Sequence, residues 1–269
     1  MAQAAAPHLG EFIYNPAAAL PLKVYYQAGG SGYPLLLLHG WGCSSETMLP
    51  VFNQLCRNFA VYNFDLPGFG ISPEPPSAWG TADYADMLAG FIAENCGGLP
   101  PLIIAHSFGG RLALRLGARG IPKKMLLTGC AGLPPHRGLD YYAKVYSYKA
   151  AKKLLSLPGL SARREELLNN ARAKSGSDDY RNASEVMRAV FVKTVNEDQT
   201  ENLAKITAPT LLFWGENDTA TPLADGRIME QKMQDAALIV KKGGTHFAYL
   251  EYLTDFLAIA ESLFKAEKS

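Results

Sequence analysis

The sequence has little of what would mark a disulfide-stapled, metal-held, membrane-spanning or charge-driven protein. Its 269 residues include only four cysteines, Cys43, Cys56, Cys96 and Cys130. None falls in a C-x-x-C pair, and no Cys/His cluster has zinc-ligand spacing, so neither a metal nor a disulfide framework is expected. Four reduced, mostly buried thiols imply a cytoplasmic protein. Lys and Arg number 26 against 25 Asp and Glu, a formal net charge of +1. A balance this even argues against a nucleic-acid or anionic-membrane binder that works by bulk charge. No apolar run approaches the ~20 residues of a membrane span. Met1 to Glu11 has neither the basic residue nor the apolar run of a secretory signal. With 48% hydrophobic and 19% charged residues, disordered and collagenous classes are excluded. A chain this long can bury a sizeable core without staples. The expected partner is a small molecule, with no nucleic acid, no membrane and no cofactor, and the expected state is monomer or homodimer.

What is present is an alternation of strand and helix patterns. Phe12 to Gln27 reads as two extended segments, followed by a turn at Gly29-Gly30-Ser31-Gly32. Leu35–Leu38 is a short continuous apolar run, the pattern of a strand buried on both faces in a parallel sheet. Helix over Met48–Arg57 and strand over Phe59–Phe64 follow. Then come helix over Tyr84–Glu94, with Met87, Leu88, Phe91 and Ile92 on one face, strand over Leu102–Ala105, helix over Phe108–Ala118 and strand over Met125–Thr128. Such spacing demands right-handed βαβ crossovers and hence an α/β fold. From about residue 133 to 204 no segment reads as a buried strand. This Tyr-, Lys- and Arg-rich stretch reads as helical, broken at Pro158-Gly159. Residues 1–132 and 205–269 are therefore expected to form the core, and 133–204 a helical lid inserted into it. The alternation resumes with strand over Thr210–Trp214, helix near Ala224–Met233 and strand over Leu238–Val240. A last helix is expected to start at a Thr254 cap, with Phe256, Leu257, Ala260, Leu263 and Phe264 facing inward.

The sharpest chemical feature is Ala105-His106-Ser107-Phe108-Gly109-Gly110, between a buried strand and a helix. This is the setting of a nucleophile elbow, where small residues two before and two after a serine let backbones pass closely. A serine hydroxyl needs a general base and an acid that orients it. Of five histidines, His8 and His136 lie in unsuitable segments and His39 sits in a Gly-rich turn. His106 flanks the serine, and the sharp turn is expected to aim its side chain elsewhere. His246 follows a late strand and is the expected base, since open α/β sheets place their sites at carboxyl ends of strands. The acid is expected from Gly215-Glu216-Asn217-Asp218, with Asp218 the natural choice over Glu216 and over Asp225 in the next helix. Two backbone N–H groups should form an oxyanion hole. Phe108 supplies one, and Trp41 in His39-Gly40-Trp41-Gly42 the other. Among lid residues Tyr142 and Tyr146, and in the core Trp41, are expected to contact substrate. Arg111 is expected on the helix flank with a structural partner. Tyr141 and Tyr148 are further lid aromatics.

These pieces resemble the α/β-hydrolase superfamily over nearly the whole chain. The matching motifs are Leu38–Gly42, Asp65-Leu66-Pro67-Gly68-Phe69-Gly70-Ile71-Ser72, His106–Gly110, Gly215–Pro222 and Gly244–Phe247, in the family's order. The first two are similar to carboxylesterases that cleave pimeloyl esters in biotin synthesis. The third is similar to uncharacterised bacterial hydrolases and menaquinone-pathway members. The resemblance implies a mostly parallel eight-stranded sheet flanked by helices with a helical lid, and a Ser107–Asp218–His246 catalytic triad. It implies a structural rather than catalytic role for Asp65. The activity it implies is hydrolysis of carboxylic esters of small to medium acyl groups through an acyl-enzyme. A meta-cleavage C–C hydrolase is the alternative, although that group places Asn before the serine and Trp after the histidine, where this chain has His106 and Phe247. A non-catalytic ligand binder is the remaining reading, set against an intact triad.

Overall fold

The computed structural model describes residues 5–16, 20–134 and 183–268. The strands are β1 (Ala5–Tyr14), β2 (Leu22–Gly30), β3 (Pro34–Leu38), β4 (Ala60–Phe64), β5 (Leu102–His106), β6 (Lys124–Thr128), β7 (Thr210–Gly215) and β8 (Ala236–Lys241). They form one sheet in the order β1-β2-β4-β3-β5-β6-β7-β8. β1 and β2 pair antiparallel, as do β2 and β4, and every other pair is parallel. The described helices are α1 (Leu49–Leu55), α2 (Thr81–Asn95), α3 (Phe108–Ala118), α4 (Glu185–Val195), α5 (Thr200–Leu203), α6 (Leu223–Lys232), α7 (Ala248–Glu251) and α8 (Leu253–Leu263).

The apolar strands divide their side chains between two cores by the two-residue period of extended backbone. Leu36, Leu38, Ile103, Ala105, Met125, Leu127, Leu212 and Trp214 face one side, against Tyr84, Leu88 and Phe91 of α2 and Leu112 and Leu116 of α3. Leu35, Leu37, Leu102, Ile104, Leu126 and Phe213 face the other, against Val51, Phe52 and Leu55 of α1 and Phe256 and Ala260 of α8. Because helices cover both faces, β3 is buried at all five positions. That is why Leu35–Leu38 is a continuous run rather than an alternation.

The element boundaries differ from the sequence pattern at the two ends. β1 begins well before Phe12, because its backbone pairs with β2 from Ala5 onward, with an irregularity between Ala5 and His8. Thr254 does not cap the last helix. The short α7 runs almost directly into α8 through Tyr252, so Thr254 lies exposed inside the first turn, and no side-chain cap bond forms. Phe256, Ala260 and Phe264 are fully buried as expected, with Leu257 and Leu263 packed at the edge of the same core.

Of the expected insertion, the described residues 183–204 hold α4 and α5. Ser184 caps α4 by accepting from the Met187 N–H at 3.1 Å. Met187 and Val190 join the core, so α4 lies against the body of the protein. Among the described residues, no helix is long and apolar enough to cross a membrane.

Chain order sets where a site can form. From β3 the chain crosses to β4 on one side, then returns past β3 to β5 on the other. The loops leaving β3 and β5 therefore splay apart at their carboxyl ends, and ligands of open α/β sheets bind in such a crevice. His39–Cys43 leaves β3 there, and Ser107 leaves β5 there.

Candidate active site

Ser107 occupies the single residue between β5 and α3, with φ 49 and ψ −108. It is the one non-glycine residue with positive φ among the described residues. A non-glycine side chain in such a conformation costs roughly 1–3 kcal/mol, and persists only where its surroundings dictate it. Here they do. The Ser107 N–H donates to Thr128 O at 3.1 Å, and the Ala131 N–H donates to Ser107 O at 3.1 Å. A Cβ on Gly109 would sit 2.4 Å from Leu38 O, and one on Gly110 2.4 Å from Cys130 Sγ. Both glycines are thus required by close approach, and the side chain of Ser107 is left half-exposed at the tip of the turn.

His246 and Asp218 meet 28 residues apart in sequence. The His246 Nδ1–H donates to Asp218 Oδ2 at 2.8 Å. In the neutral ring this leaves Nε2 as an acceptor. Asp218 is held on its other oxygen, where Oδ1 accepts the Ala220 and Thr221 N–H groups, each at 2.9 Å. Burial raises its pKa, but the His246 bond, the Thr221 N–H and the imidazole's charge outweigh that and hold it below the usual carboxylate range. Gly129 lies against the pair. A Cβ there would fall 3.1 Å from His246 Nδ1 and 3.2 Å from Asp218 Oδ2. Since the Thr128–Ala131 segment is bonded to Ser107 at both ends, one stretch of chain ties the elbow to the histidine–aspartate pair. Glu216 points away and accepts the Gly243 N–H at 2.9 Å in an exposed position. Asp225 sits buried in the first turn of α6.

The loop after β3 closes on the elbow from the other side. A Cβ on Gly40 would lie 2.7 Å from His106 Nδ1 and 3.3 Å from Ser107 Cβ. The Cys43 N–H donates to Gly40 O at 3.2 Å, making a turn with Trp41 and Gly42 at its centre and Gly42 at φ 69. That hydrogen bond uses neither central N–H, so the Trp41 N–H is not consumed by the turn. Phe108 is the first residue of α3, whose leading N–H groups have no acceptor within the helix and whose N-terminus favours negative charge. The Gly109 N–H donates to His39 O at 3.0 Å and couples the two halves. The Trp41 ring makes edge contacts with Phe69, Phe108 and Phe191, at centroid distances of 4.9, 5.3 and 4.9 Å. Trp41 thereby joins this crevice to α4.

His39 and His106 are buried and neutral. Burial drives His39 down to about 4, partly offset by its Gly40 hydrogen bond. Its Nδ1–H donates to Gly40 O at 2.7 Å, and its Nε2 accepts the Leu66 N–H at 3.1 Å. His106, expected to turn its side chain from the serine, packs against the His246 loop. Its Nε2–H donates to His246 O at 3.1 Å, and its ring lies 4.7 Å from that of His246. The sheet turns the residue before the elbow beneath the neighbouring loop, a packing that no local pattern announces. Burial first, then the His246 charge, pushes its pKa down to about 3. Asp65 holds its own loop, accepting the Ser45 N–H at 2.7 Å and the Ile71 N–H at 3.0 Å. Arg111 is buried and donates to Glu197 O at 3.1 Å. Tyr142 and Tyr146, with Tyr141, Tyr148 and His136, lie outside the described residues. Among the described residues no group of three or more His, Cys, Asp or Glu side chains could hold a metal ion.

Residues 35–259 match the family model described as the alpha/beta hydrolase family. The chain belongs to the alpha/beta hydrolase family. It is similar to the pimeloyl-(acyl-carrier protein) methyl ester esterase of Chromobacterium violaceum, with 27% identity over 267 residues, 90% of this chain and 98% of that protein. In three dimensions it resembles a thermophilic esterase from Thermogutta terrifontis, with a TM-score of 0.71, 22% identity and coverage of 97% of this chain and 99% of that one. The 2-hydroxy-6-oxo-6-phenylhexa-2,4-dienoate hydrolase of Rhodococcus sp. strain RHA1 superimposes with a TM-score of 0.69 at 20% identity, covering 97% of this chain and 100% of that one. The two structural likenesses establish the fold; the family membership makes hydrolase the coarse class of the enzyme.

Proposed function

We propose that the protein is a serine hydrolase of carboxylic esters with small to medium acyl groups, using Ser107, His246 and Asp218 as its catalytic triad. The observation that carries this reading is the His246–Asp218 hydrogen bond, tied through Gly129 to the strained Ser107 elbow. In the reaction, Ser107 Oγ attacks the ester carbonyl while His246 Nε2 takes its proton. Asp218 keeps the proton of the imidazole on Nδ1 and stabilises the imidazolium that forms. The N–H groups of Trp41 and Phe108 face the oxyanion, whose charge develops beside the α3 N-terminus. Collapse expels the alcohol, protonated by His246, and leaves an acyl-Ser107 ester. Water, deprotonated by His246, then releases the acid. No step requires a metal or cofactor.

The ester preference is supported by the esterase relative from Chromobacterium violaceum. We assign residues 133–204 as the lid, with Tyr142 and Tyr146 as its substrate contacts. Phe191 of α4, resting on Trp41, is consistent with that placement. The four cysteines, none in a disulfide, suit a cytoplasmic setting. The test is a p-nitrophenyl ester chain-length series run beside a vinylogous 1,5-diketone. Turnover of short and medium esters with negligible diketone cleavage is expected. Preference for the diketone would move the chain to C–C bond hydrolysis.

A further inference from the structure

Thr221 is a buried hydroxyl that the mechanism above leaves unused. Its Oγ1 lies 2.8 Å from Asp218 Oδ2, the same oxygen that accepts the His246 proton. It also lies 3.0 Å from Gly129 O and 3.3 Å from His246 Nδ1. Three features fix it there. Its own N–H is bonded to Asp218 Oδ1 at 2.9 Å. Its carbonyl accepts the indole N–H of the fully buried Trp214 at 2.8 Å. Pro222 follows immediately and limits the backbone.

We infer that Thr221 is a positioning residue, whose hydroxyl fixes the tautomer and orientation of His246 together with Asp218. This rests on the triad reading above and extends it by a fourth group. The argument is one of donor and acceptor counting. A threonine hydroxyl has one proton and two lone-pair directions. The oxygens it can donate to are Asp218 Oδ2, which also accepts from His246 Nδ1, and Gly129 O. With its proton given to Gly129 O or to Oδ2, the Thr221 oxygen stands 3.3 Å from His246 Nδ1 as an acceptor. The Asp218 carboxylate, which can only accept, puts the proton on Nδ1, and the Thr221 oxygen gives that N–H a second acceptor. That leaves Nε2 free to act as base. A carboxylate alone could meet the imidazole over a range of tilts; the second acceptor narrows that range. Donation to Oδ2 further satisfies a carboxylate that burial would otherwise make more basic. The other titratable groups against His246 do not compete for this role. His106 contacts its carbonyl, not its Nδ1, and is held neutral by burial.

The variants that separate hydroxyl from packing are Thr221→Val, Thr221→Ser and Thr221→Ala. Valine keeps shape and removes the oxygen, whereas serine keeps the oxygen and loses a methyl. Thr221→Val should lower kcat about 10- to 100-fold with KM moving less than about threefold, the loss of one buried hydrogen bond to a charged pair. The rate of fluorophosphonate labelling should fall in parallel. Thr221→Ser should stay within about threefold of wild type, and Thr221→Ala should fall with valine. Should the valine variant fail to fold, the serine and alanine pair differs by the oxygen alone and still decides. Wild-type kcat in Thr221→Val, or equal damage in serine and alanine, overturns the inference. Asp218→Asn measured alongside keeps the two readings apart. If it collapses while Thr221→Val does not, only the role of Thr221 fails. If neither falls, the triad fails and Thr221 with it.

Discussion

Asp218→Asn is the substitution whose consequence the structure dictates most fully. The amide is isosteric with the carboxylate, so the loop need not move. Its orientation is not free, however. The Ala220 and Thr221 N–H groups both donate to the Oδ1 position from 2.9 Å, so only the amide oxygen can sit there as acceptor. The amide NH2 must then occupy the Oδ2 position, 2.8 Å from His246 Nδ1. Two donors cannot face each other, so the imidazole moves its proton to Nε2 and presents Nδ1 as acceptor. In that tautomer Nε2 has no lone pair to receive the Ser107 proton. The cost expected of a mispositioned tautomer is about 10⁴-fold in kcat at neutral pH, or roughly 5 kcal/mol. Glu216→Gln serves as the matched control. That carboxylate is exposed and bonded to the Gly243 N–H, so its loss should cost under about tenfold. The assay is p-nitrophenyl butyrate turnover, with circular dichroism to verify folding. Equal losses at the two positions, or a larger loss at Glu216, would refute the assignment of the acid.

Gly129→Ala should lower kcat by about tenfold or more, because its Cβ would press on Nδ1 and Oδ2 together, while Gly120→Ala, with similar positive φ and open space around it, should pay only the backbone strain of about 1 kcal/mol. Urea titrations of both variants, beside their kinetics, check this; an active Gly129→Ala enzyme contradicts it. Stability should fall as pH drops from about 6.5 toward 4, since the unfolded chain protonates His39 and His106 near 6.5 whereas the folded chain holds them down to about 4 and about 3. The unfolded state binds more protons in that window, so each histidine contributes up to about 1.4 kcal/mol per pH unit. His106→Gln should reduce the slope of unfolding free energy against pH by about one proton's worth, and an unchanged slope would contradict the burial argument. Ester turnover should survive exhaustive chelation by EDTA; loss of activity restored by zinc would overturn the metal-free mechanism.

Some of this was readable from residues alone because the chemistry is local. The β5–α3 elbow carries its small residues within a few positions of Ser107, and α3 spans Phe108–Ala118 as the pattern requires. The placement of Asp218 over Glu216 follows from the turn after β7, which returns the chain inward by the third residue. What the sequence did not disclose depends on contacts between distant segments. His106 finds its acceptor 140 residues away, at His246 O, and the Thr221 hydroxyl meets Gly129 O at the end of β6. A signal for Thr221 was present in Thr219-Ala220-Thr221-Pro222, where a hydroxyl stands three residues after the acid, but nothing local distinguishes it from a solvated turn residue. The Thr254 cap failed because Tyr252 joins two helices where the sequence suggests a fresh start.

The central claim is that Ser107 becomes covalently acylated. A fluorophosphonate probe followed by intact-mass and peptide mass spectrometry tests it most directly. The wild-type protein should take up one probe molecule, localised to the peptide carrying Ser107, and lose ester turnover in proportion. Ser107→Ala should keep its fold, take up none, and retain a residual rate several orders of magnitude lower, about what the oxyanion donors and binding alone supply. Adduct on another residue, or wild-type turnover in Ser107→Ala, would contradict the account.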